Sequence, residues 1–150
     1  MVEEGKPAPD FELESDSGER VKLSSFRGRP VVLYFYPKSD TPGCTKQACG
    51  IRDTYDAFRE RGAVVLGVSS DTQEAQAKFK SKYSLPFTVL ADPEREAGEV
   101  YGVTKPDSGY FERSTFVIDS DGKVTRAMRR VDPERHATQV LDALAKAGGP

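Results

Sequence analysis

The two cysteines, Cys44 and Cys49, are the residues of this sequence best suited to chemistry. Cys44 follows Pro42 and Gly43, where the chain leaves an apolar run, turns and enters a segment of helical pattern. At a helix N-terminus, unpaired N–H groups and the positive end of the helix dipole favour an anion, which here is the thiolate. We therefore interpret Cys44 as an activated nucleophile. The alternative is a buried, inert cysteine that packs like a small apolar side chain.

The spacing of the two cysteines restricts what they can do together. A Cys-x-x-Cys pair would place the second sulfur within one turn, so this longer spacing disfavours disulfide exchange of the thioredoxin type. In an intact helix, five residues give a rise of about 7.5 Å and a rotation of about 140°. Because a disulfide allows about 7 Å between Cα atoms, bonding Cys44 to Cys49 requires local unwinding. The spacing suits a redox switch better than a structural cross-link.

The segment after Cys44 has the periodicity of an amphipathic helix, which we predict over residues 45–61. One face carries an apolar stripe that consists of Cys44, Ala48, Ile51, Tyr55 and Phe58. Cys49 falls on the polar side of the same helix, with Asp53 and Asp56. The pattern therefore predicts a buried Cys44 side and a more exposed Cys49 side.

The elements that must position this helix follow an α/β order. A β-hairpin (residues 11–13 and 21–23) precedes three apolar runs that we predict as central strands, at residues 31–36, 63–69 and 87–91. Predicted helices at 45–61, 73–83 and 94–101 alternate with them, and a hairpin (114–119 and 123–129) and a closing helix (133–147, beginning at Pro133) follow. This order predicts a thioredoxin-like fold with a central mixed sheet flanked by helices, although other α/β sandwiches share the coarse pattern.

Composition narrows the class of protein. The chain has 150 residues, the size of one ordinary domain, and we expect a single domain over residues 1–150. A net charge of -2 gives no basic field for nucleic acid or anionic lipid, and no apolar run approaches the length of a membrane span. The first ten residues lack the apolar segment of a signal peptide, so we expect a cytoplasmic protein unless a leader was removed. With His136 the only histidine, far from both cysteines, we predict no metal site.

The residues around Cys44 resemble the active-site motif of the peroxiredoxins. The motif here reads Pro37-x-x-x-Thr41-x-x-Cys44, and its continuation through Thr45, Ala48 and Cys49 is similar to the bacterioferritin-comigratory-protein, or peroxiredoxin Q, branch. The similarity covers nearly the whole chain, except residues 104–112, which match no pattern of the family. The resemblance implies a thioredoxin-like fold and a thiol peroxidase with no cofactor.

The resemblance also implies roles for five residues. Cys44 is the expected peroxidatic cysteine and Cys49 the resolving cysteine of an intramolecular disulfide. Thr41 would hold the thiolate and the peroxide, Arg113 would lie against the sulfur, and Pro37 would shield it from water. Without the resemblance, Thr41 reads as a helix N-cap or turn residue, Arg113 as a surface arginine and Pro37 as a strand terminator.

The resemblance also has implications for substrates and partners. The resemblance implies peroxide substrates, recycling by thioredoxin or a glutaredoxin-like dithiol, and a monomer. The competing hypotheses are a thiol–disulfide oxidoreductase and a non-enzymatic thioredoxin-like interaction domain. Away from the motif, we predict that His136 lies on the surface and that residues 126–130 form a solvated strand edge.

Overall fold

The computed structural model describes residues 2–129, 131–133 and 135–147, with side chains as far as residue 144. Its strands are β1 (Glu12–Ser15), β2 (Arg20–Lys22), β3 (Val31–Phe35), β4 (Val64–Ser69), β5 (Thr88–Ala91), β6 (Ser114–Ile118) and β7 (Val124–Arg129). Its helices are α1 (Pro42–Asp53), α2 (Tyr55–Glu60), α3 (Gln73–Tyr83), α4 (Glu96–Val100) and α5 (His136–Ala147). No helix in the described part of the chain is long and apolar enough to cross a bilayer.

All seven strands join one mixed sheet in the order β2-β1-β5-β4-β3-β6-β7. The three central strands β3, β4 and β5 are parallel, whereas β6 runs antiparallel to β3 and pairs Ser114 with Phe35. The hairpins β1–β2 and β6–β7 flank this centre. The predicted fold, a thioredoxin-like mixed sheet flanked by helices and carrying an N-terminal β-hairpin, is confirmed.

Strand β3 is buried on both faces, as its continuous apolar sequence predicts. Its alternate side chains point to two separate apolar clusters. Val32 and Tyr34 pack with residues of α1, α2, α3 and α5, whereas Leu33 and Phe35 pack with residues of α4 and the chain after it. Cys44 belongs to the first of these clusters.

The long helix predicted over residues 45–61 is two helices. α1 begins earlier than predicted, at Pro42, and α2 follows a break at Thr54. The Thr54 hydroxyl donates to the carbonyl of Gly50 at 2.8 Å, a local hydrogen bond typical of threonine at a bend in a helix. The apolar stripe continues across the break, since Ile51 and Phe58 are both fully buried.

Two expectations about the C-terminal elements need correction. The closing helix begins at His136 and not at Pro133. In the arginine-rich strand, Arg126 is exposed as predicted, but Arg129 is half-buried with its guanidinium 5.4 Å from the centre of the Phe116 ring. Arg129 thus covers apolar surface, and Arg130 lies outside the described residues.

The prediction that His136 lies on the surface is wrong. His136 is fully buried, and its Nε2 is 2.6 Å from the Thr115 hydroxyl of β6, while its ring packs against Tyr34 at 5.2 Å between centroids. It shares the inner face of α5 with Val140 and Leu144, which are four and eight residues further along. Burial lowers the pKa of His136 to about 3, and the positive charge of Arg113 acts in the same direction.

Residues 104–112, which no sequence pattern explained, fold back on themselves. Thr104 bridges Phe111, and the Glu112 N–H donates to Val103 O at 2.7 Å. The Phe111 ring is fully buried and meets Phe35 edge-on, with 5.5 Å between the ring centres. This segment therefore covers the sheet face opposite Cys44.

Replacing Gly98 of α4 by alanine should destabilise the protein. A Cβ at Gly98 would overlap the buried Phe111 ring and lie 2.7 Å from the Thr104 hydroxyl, so we expect overpacking to cost about 1–3 kcal/mol. The matched control is Gly50→Ala in α1, whose Cβ would make an ordinary 3.8 Å contact with Ala137 and gain up to about 1 kcal/mol from helix propensity. Urea denaturation measures both, and an unshifted midpoint for Gly98→Ala would contradict the packing.

The buried His136 should make stability depend on pH. Its pKa is lower in the folded protein, about 3, than its ordinary value of 6.5, so the unfolded chain takes up the proton first. The contribution of the neutral His136 to the free energy of unfolding is therefore complete above pH 6.5, and it is lost as the pH falls towards 3. We expect the free energy of unfolding to fall more steeply with decreasing pH in the unsubstituted protein than in His136→Gln. If denaturant titrations gave the same dependence of the free energy of unfolding on pH for both proteins, folding would not lower the pKa of His136.

Candidate active site

The loop between β3 and α1 delivers the predicted site residues to one edge of the sheet. After β3, the Tyr36 N–H still bonds to Val68 O at 2.9 Å, and the half-buried Pro37 then begins the loop. Thr41 occupies the N-cap position of α1, with extended backbone, and Pro42 is the first helical residue. Since the fixed φ of proline suits this position, the sequence sets where α1 starts.

Cys44 lies in the first turn of α1 and is 1% exposed. The Thr45 N–H donates to Thr41 O at 2.8 Å, which closes the first helical hydrogen bond. The N–H groups before it belong to the unpaired first turn, whose partial positive charge favours an anion. Tyr34 and Tyr36 share the buried cluster of Cys44, and burial raises the pKa of both phenols, so that neither adds a negative charge there.

The structure brings Arg113 to this same turn from the start of β6. Arg113 Nη1 donates to the side-chain Oε1 of Gln47 at 2.6 Å. A Cβ added to Gly43 would lie 3.0 Å from Arg113 Nη2, so the missing side chain of Gly43 lets the guanidinium approach the backbone beside Cys44. Arg113 is therefore not the solvated surface residue that composition alone suggested.

Gln47 is a residue of the site that the sequence reasoning missed. It is fully buried, and its side-chain Oε1 accepts a hydrogen bond from the Arg113 guanidinium. The available signal was its place three residues after Cys44, which puts both side chains on neighbouring positions of one helix face. A polar residue beside an apolar stripe usually needs a partner, and here the partner comes from another element.

Pro37 and Thr41 lie in the loop that leads from β3 to α1, with Thr41 directly before the helix. The Thr41 hydroxyl donates to Lys38 O at 2.8 Å. Thr41 thus holds the N-cap position without a side-chain capping hydrogen bond, and its contact with Lys38 fits the alternative of a turn residue. Its oxygen keeps lone pairs that can accept a hydrogen bond from a bound molecule.

Cys49 is not brought together with Cys44. Both cysteines are free thiols, and Cys49 is half-buried on a different side of the same unbroken helix. Helix geometry alone keeps the two residues about 7.5 Å apart along the axis. The described residues contain no group of three or more histidine, cysteine or acidic side chains that could hold a metal ion.

Comparisons with known proteins show which family the chain resembles in sequence. Residues 4–127 match the family model of the AhpC/TSA family. The chain is 45% identical over 149 residues to peroxiredoxin Bcp of Bacillus subtilis, with 95% of each chain covered. It is 43% identical over 145 residues to the chloroplastic peroxiredoxin Q of Oryza sativa subsp. japonica, covering 95% of this chain and 67% of that protein.

Solved structures show the same relationship. The crystal structure of peroxidoxin BcpB from Mycobacterium tuberculosis superimposes with a TM-score of 0.92 at 35% identity, covering 97% of this chain and 98% of that one. The bacterioferritin comigratory protein of Xanthomonas campestris, which has alkyl peroxide reduction activity, superimposes with a TM-score of 0.88 at 31% identity, covering 93% of this chain and 92% of that one. The chain therefore belongs to the AhpC/TSA family, among the Bcp and peroxiredoxin Q proteins, and is a thiol peroxidase of the peroxiredoxin type.

Proposed function

We propose that the chain reduces hydrogen peroxide and organic hydroperoxides through Cys44. The observation that carries this proposal is that the Arg113 guanidinium lies against Gly43, next to Cys44 in the unpaired first turn of α1. The Cys44 thiolate attacks one peroxide oxygen and the O–O bond breaks. The leaving oxygen takes up a proton and departs as water or an alcohol, and Cys44 becomes a sulfenic acid.

In this proposal Arg113 and Thr41 act on the charges that move. Negative charge passes from the sulfur to the leaving oxygen, and a fixed guanidinium beside both stabilises it throughout. Gln47 holds one edge of that guanidinium by its 2.6 Å hydrogen bond. The Thr41 oxygen accepts a hydrogen bond from the peroxide, and Pro37 limits the access of water to the sulfur.

Cys49 then resolves the sulfenic acid within the same chain. Its thiol attacks the Cys44 sulfur, a disulfide forms and water leaves. Since an intact α1 holds the two residues too far apart for that bond, the helix must unwind over about residues 44–50. The break at Thr54 supports a local event, because α2 keeps Phe58 in the core as a separate helix.

Turnover requires a dithiol that reopens the disulfide by exchange, and we propose thioredoxin or a glutaredoxin-like protein for this step. Such reductants imply a reducing compartment, and we propose the cytoplasm. Both cysteines lie on one helix of one chain, so no second subunit has to supply a thiol, in keeping with a monomer of one domain. The alkyl peroxide reduction activity of the Xanthomonas campestris bacterioferritin comigratory protein supports organic hydroperoxides among the substrates.

The roles of the two cysteines are separable by substitution. We expect Cys44→Ser to abolish peroxide consumption, because it removes the nucleophile. Cys49→Ser should still form sulfenic acid at Cys44 but no intramolecular disulfide. Single-turnover oxidation with about one equivalent of peroxide, followed by intact-mass and peptide-mass measurement, reads both outcomes. A Cys49→Ser protein that forms no sulfenic acid at Cys44 would overturn the assignment.

Substitution of Arg113 should slow the oxidation of Cys44. Loss of one preorganised group that stabilises developing charge typically costs about 100-fold or more, so we expect that decrease in the peroxide rate constant of Arg113→Ala. Gln47→Leu keeps the arginine but removes its acceptor, and a smaller decrease should follow. Arg126→Ala, at an exposed position of β7, is the matched control. Stopped-flow oxidation measures all three, and an unchanged rate constant for Arg113→Ala would remove this residue from the site.

A further inference from the structure

Asp40, one residue before the N-cap of α1, is held by the end of α3. Its carboxylate accepts hydrogen bonds from Lys82 Nζ, at 2.8 and 3.1 Å, and from the Tyr83 hydroxyl at 2.7 Å. Asp40 adopts the left-handed backbone conformation, with φ +59°, which aspartate and asparagine tolerate better than most residues. The loop before Cys44 is thus attached to a second helix by three hydrogen bonds.

The other end of α1 is attached to the same place. Arg52, in the last turn of α1, donates from Nη1 to the carbonyl of Tyr83 at 2.8 Å. Tyr83 therefore contacts both flanks of the segment that carries Cys44 and Cys49, and Lys82 contacts the first of them. We call this set of contacts, made by Asp40, Arg52, Lys82 and Tyr83, the α3 tether.

The end of α3 is a firm anchor. The ring of Tyr83 packs edge-on against Phe79 at 5.6 Å, and Phe79 is buried in the cluster that contains Cys44. The helix closes at Ser84 in the left-handed conformation, whose N–H bonds back to Ser81. The next residue, Leu85, is itself buried. The α3 tether is therefore attached to a helix end that packs against the core.

Attachment at both ends changes the free energy of unwinding. A chain segment released from a helix gains conformational entropy, and this gain is smaller when its two ends stay fixed. The tether thus favours the helical form of residues 41–51 over the unwound form. Since the contacts lie outside the segment that unwinds, they hold its ends in place and limit how far the segment opens. Losing them lengthens the freed loop, which favours the unwound form.

We propose that Asp40 is a positioning residue that slows the unwinding of α1 and so sets how long the Cys44 sulfenic acid persists before Cys49 reaches it. The part that concerns sulfenic acid rests on the proposed function, whereas the part that concerns unwinding does not. The lifetime has a chemical consequence. A sulfenic acid that persists meets a second peroxide, which transfers one oxygen to the sulfur, leaves as water or an alcohol and produces sulfinic acid.

The opening of α1 is tested in the reduced protein, without any peroxide. Asp40→Asn keeps the size and the left-handed backbone preference of residue 40 but removes its charge, and Tyr83→Phe removes one donor. A longer freed loop changes the equilibrium between the helical and unwound forms by about two- to fivefold. We expect amide exchange over residues 44–50 to accelerate by that factor in each variant, while β3 and β4 stay unchanged. Exchange equal to that of the unsubstituted protein would overturn the proposal.

The matched control is Asp56→Asn, which breaks an exposed ion pair with Arg59 on α2, with 3.3 Å between the charged atoms. This pair does not touch α3, so exchange over residues 44–50 should not change. Equal acceleration in Asp56→Asn and Asp40→Asn would mean that any lost surface charge pair loosens this region, and the tether would have no special role.

The chemical consequence is tested by rapid-quench mass measurement after about one equivalent of peroxide. In Asp40→Asn the conversion of sulfenic acid to disulfide should accelerate two- to fivefold relative to the oxidation step, and less sulfinic acid should form at excess peroxide. An unchanged ratio of the two rate constants would overturn the link to resolution. If the unsubstituted protein formed no sulfenic acid at Cys44, the proposed function would fail, while the exchange experiment would still decide the tether.

Discussion

Helix geometry in α1 is the constraint on which the rest of this structure depends. As a helix, α1 presents Cys44 in its unpaired first turn and holds Gln47 where it can bind Arg113. The same helical geometry keeps Cys49 too far from Cys44 for a disulfide bond. The two steps of the proposed cycle therefore need opposite states of one segment. The rest of the fold has to make the helical state favourable but not permanent.

The neighbours of α1 meet both requirements by different means. Cys44, Ala48 and Ile51 are buried in the core cluster, which favours the helix. The polar contacts of Asp40 and Arg52 lie at its two ends and on partly exposed side chains, where each contributes little. The helix also stops at Thr54, so opening it does not have to carry α2 along. The buried apolar contacts of α1 therefore supply most of the stability of this helix, and the polar contacts at its two ends supply little.

Sequence predicted the elements well where the pattern was continuous and apolar, as in β3 and β4. The predicted bounds of the 11-residue helix α3 also agree with the structure. It predicted the end of α1 poorly because the apolar stripe runs through Thr54, and the bend depends on one side-chain hydrogen bond. His136, Gln47 and Asp40 were missed or misplaced for a common reason. Each finds its partner on an element distant in sequence, namely Thr115, Arg113 and the end of α3. Spacing along one segment carries no information about such pairs.

The direction of β6 has a consequence for how this site could arise. Because β6 runs antiparallel to β3, its first residue lies beside the last residue of β3, and Arg113 emerges at the edge where the loop to α1 begins. In a parallel arrangement the first residue of β6 would lie at the opposite end of β3, about 13 Å away for a five-residue strand. The Arg113 guanidinium lies beside Gly43 in the first turn of α1 because β6 is antiparallel to β3. A rearrangement that made β6 parallel to β3 would keep the helix and both cysteines but would move the arginine away from them.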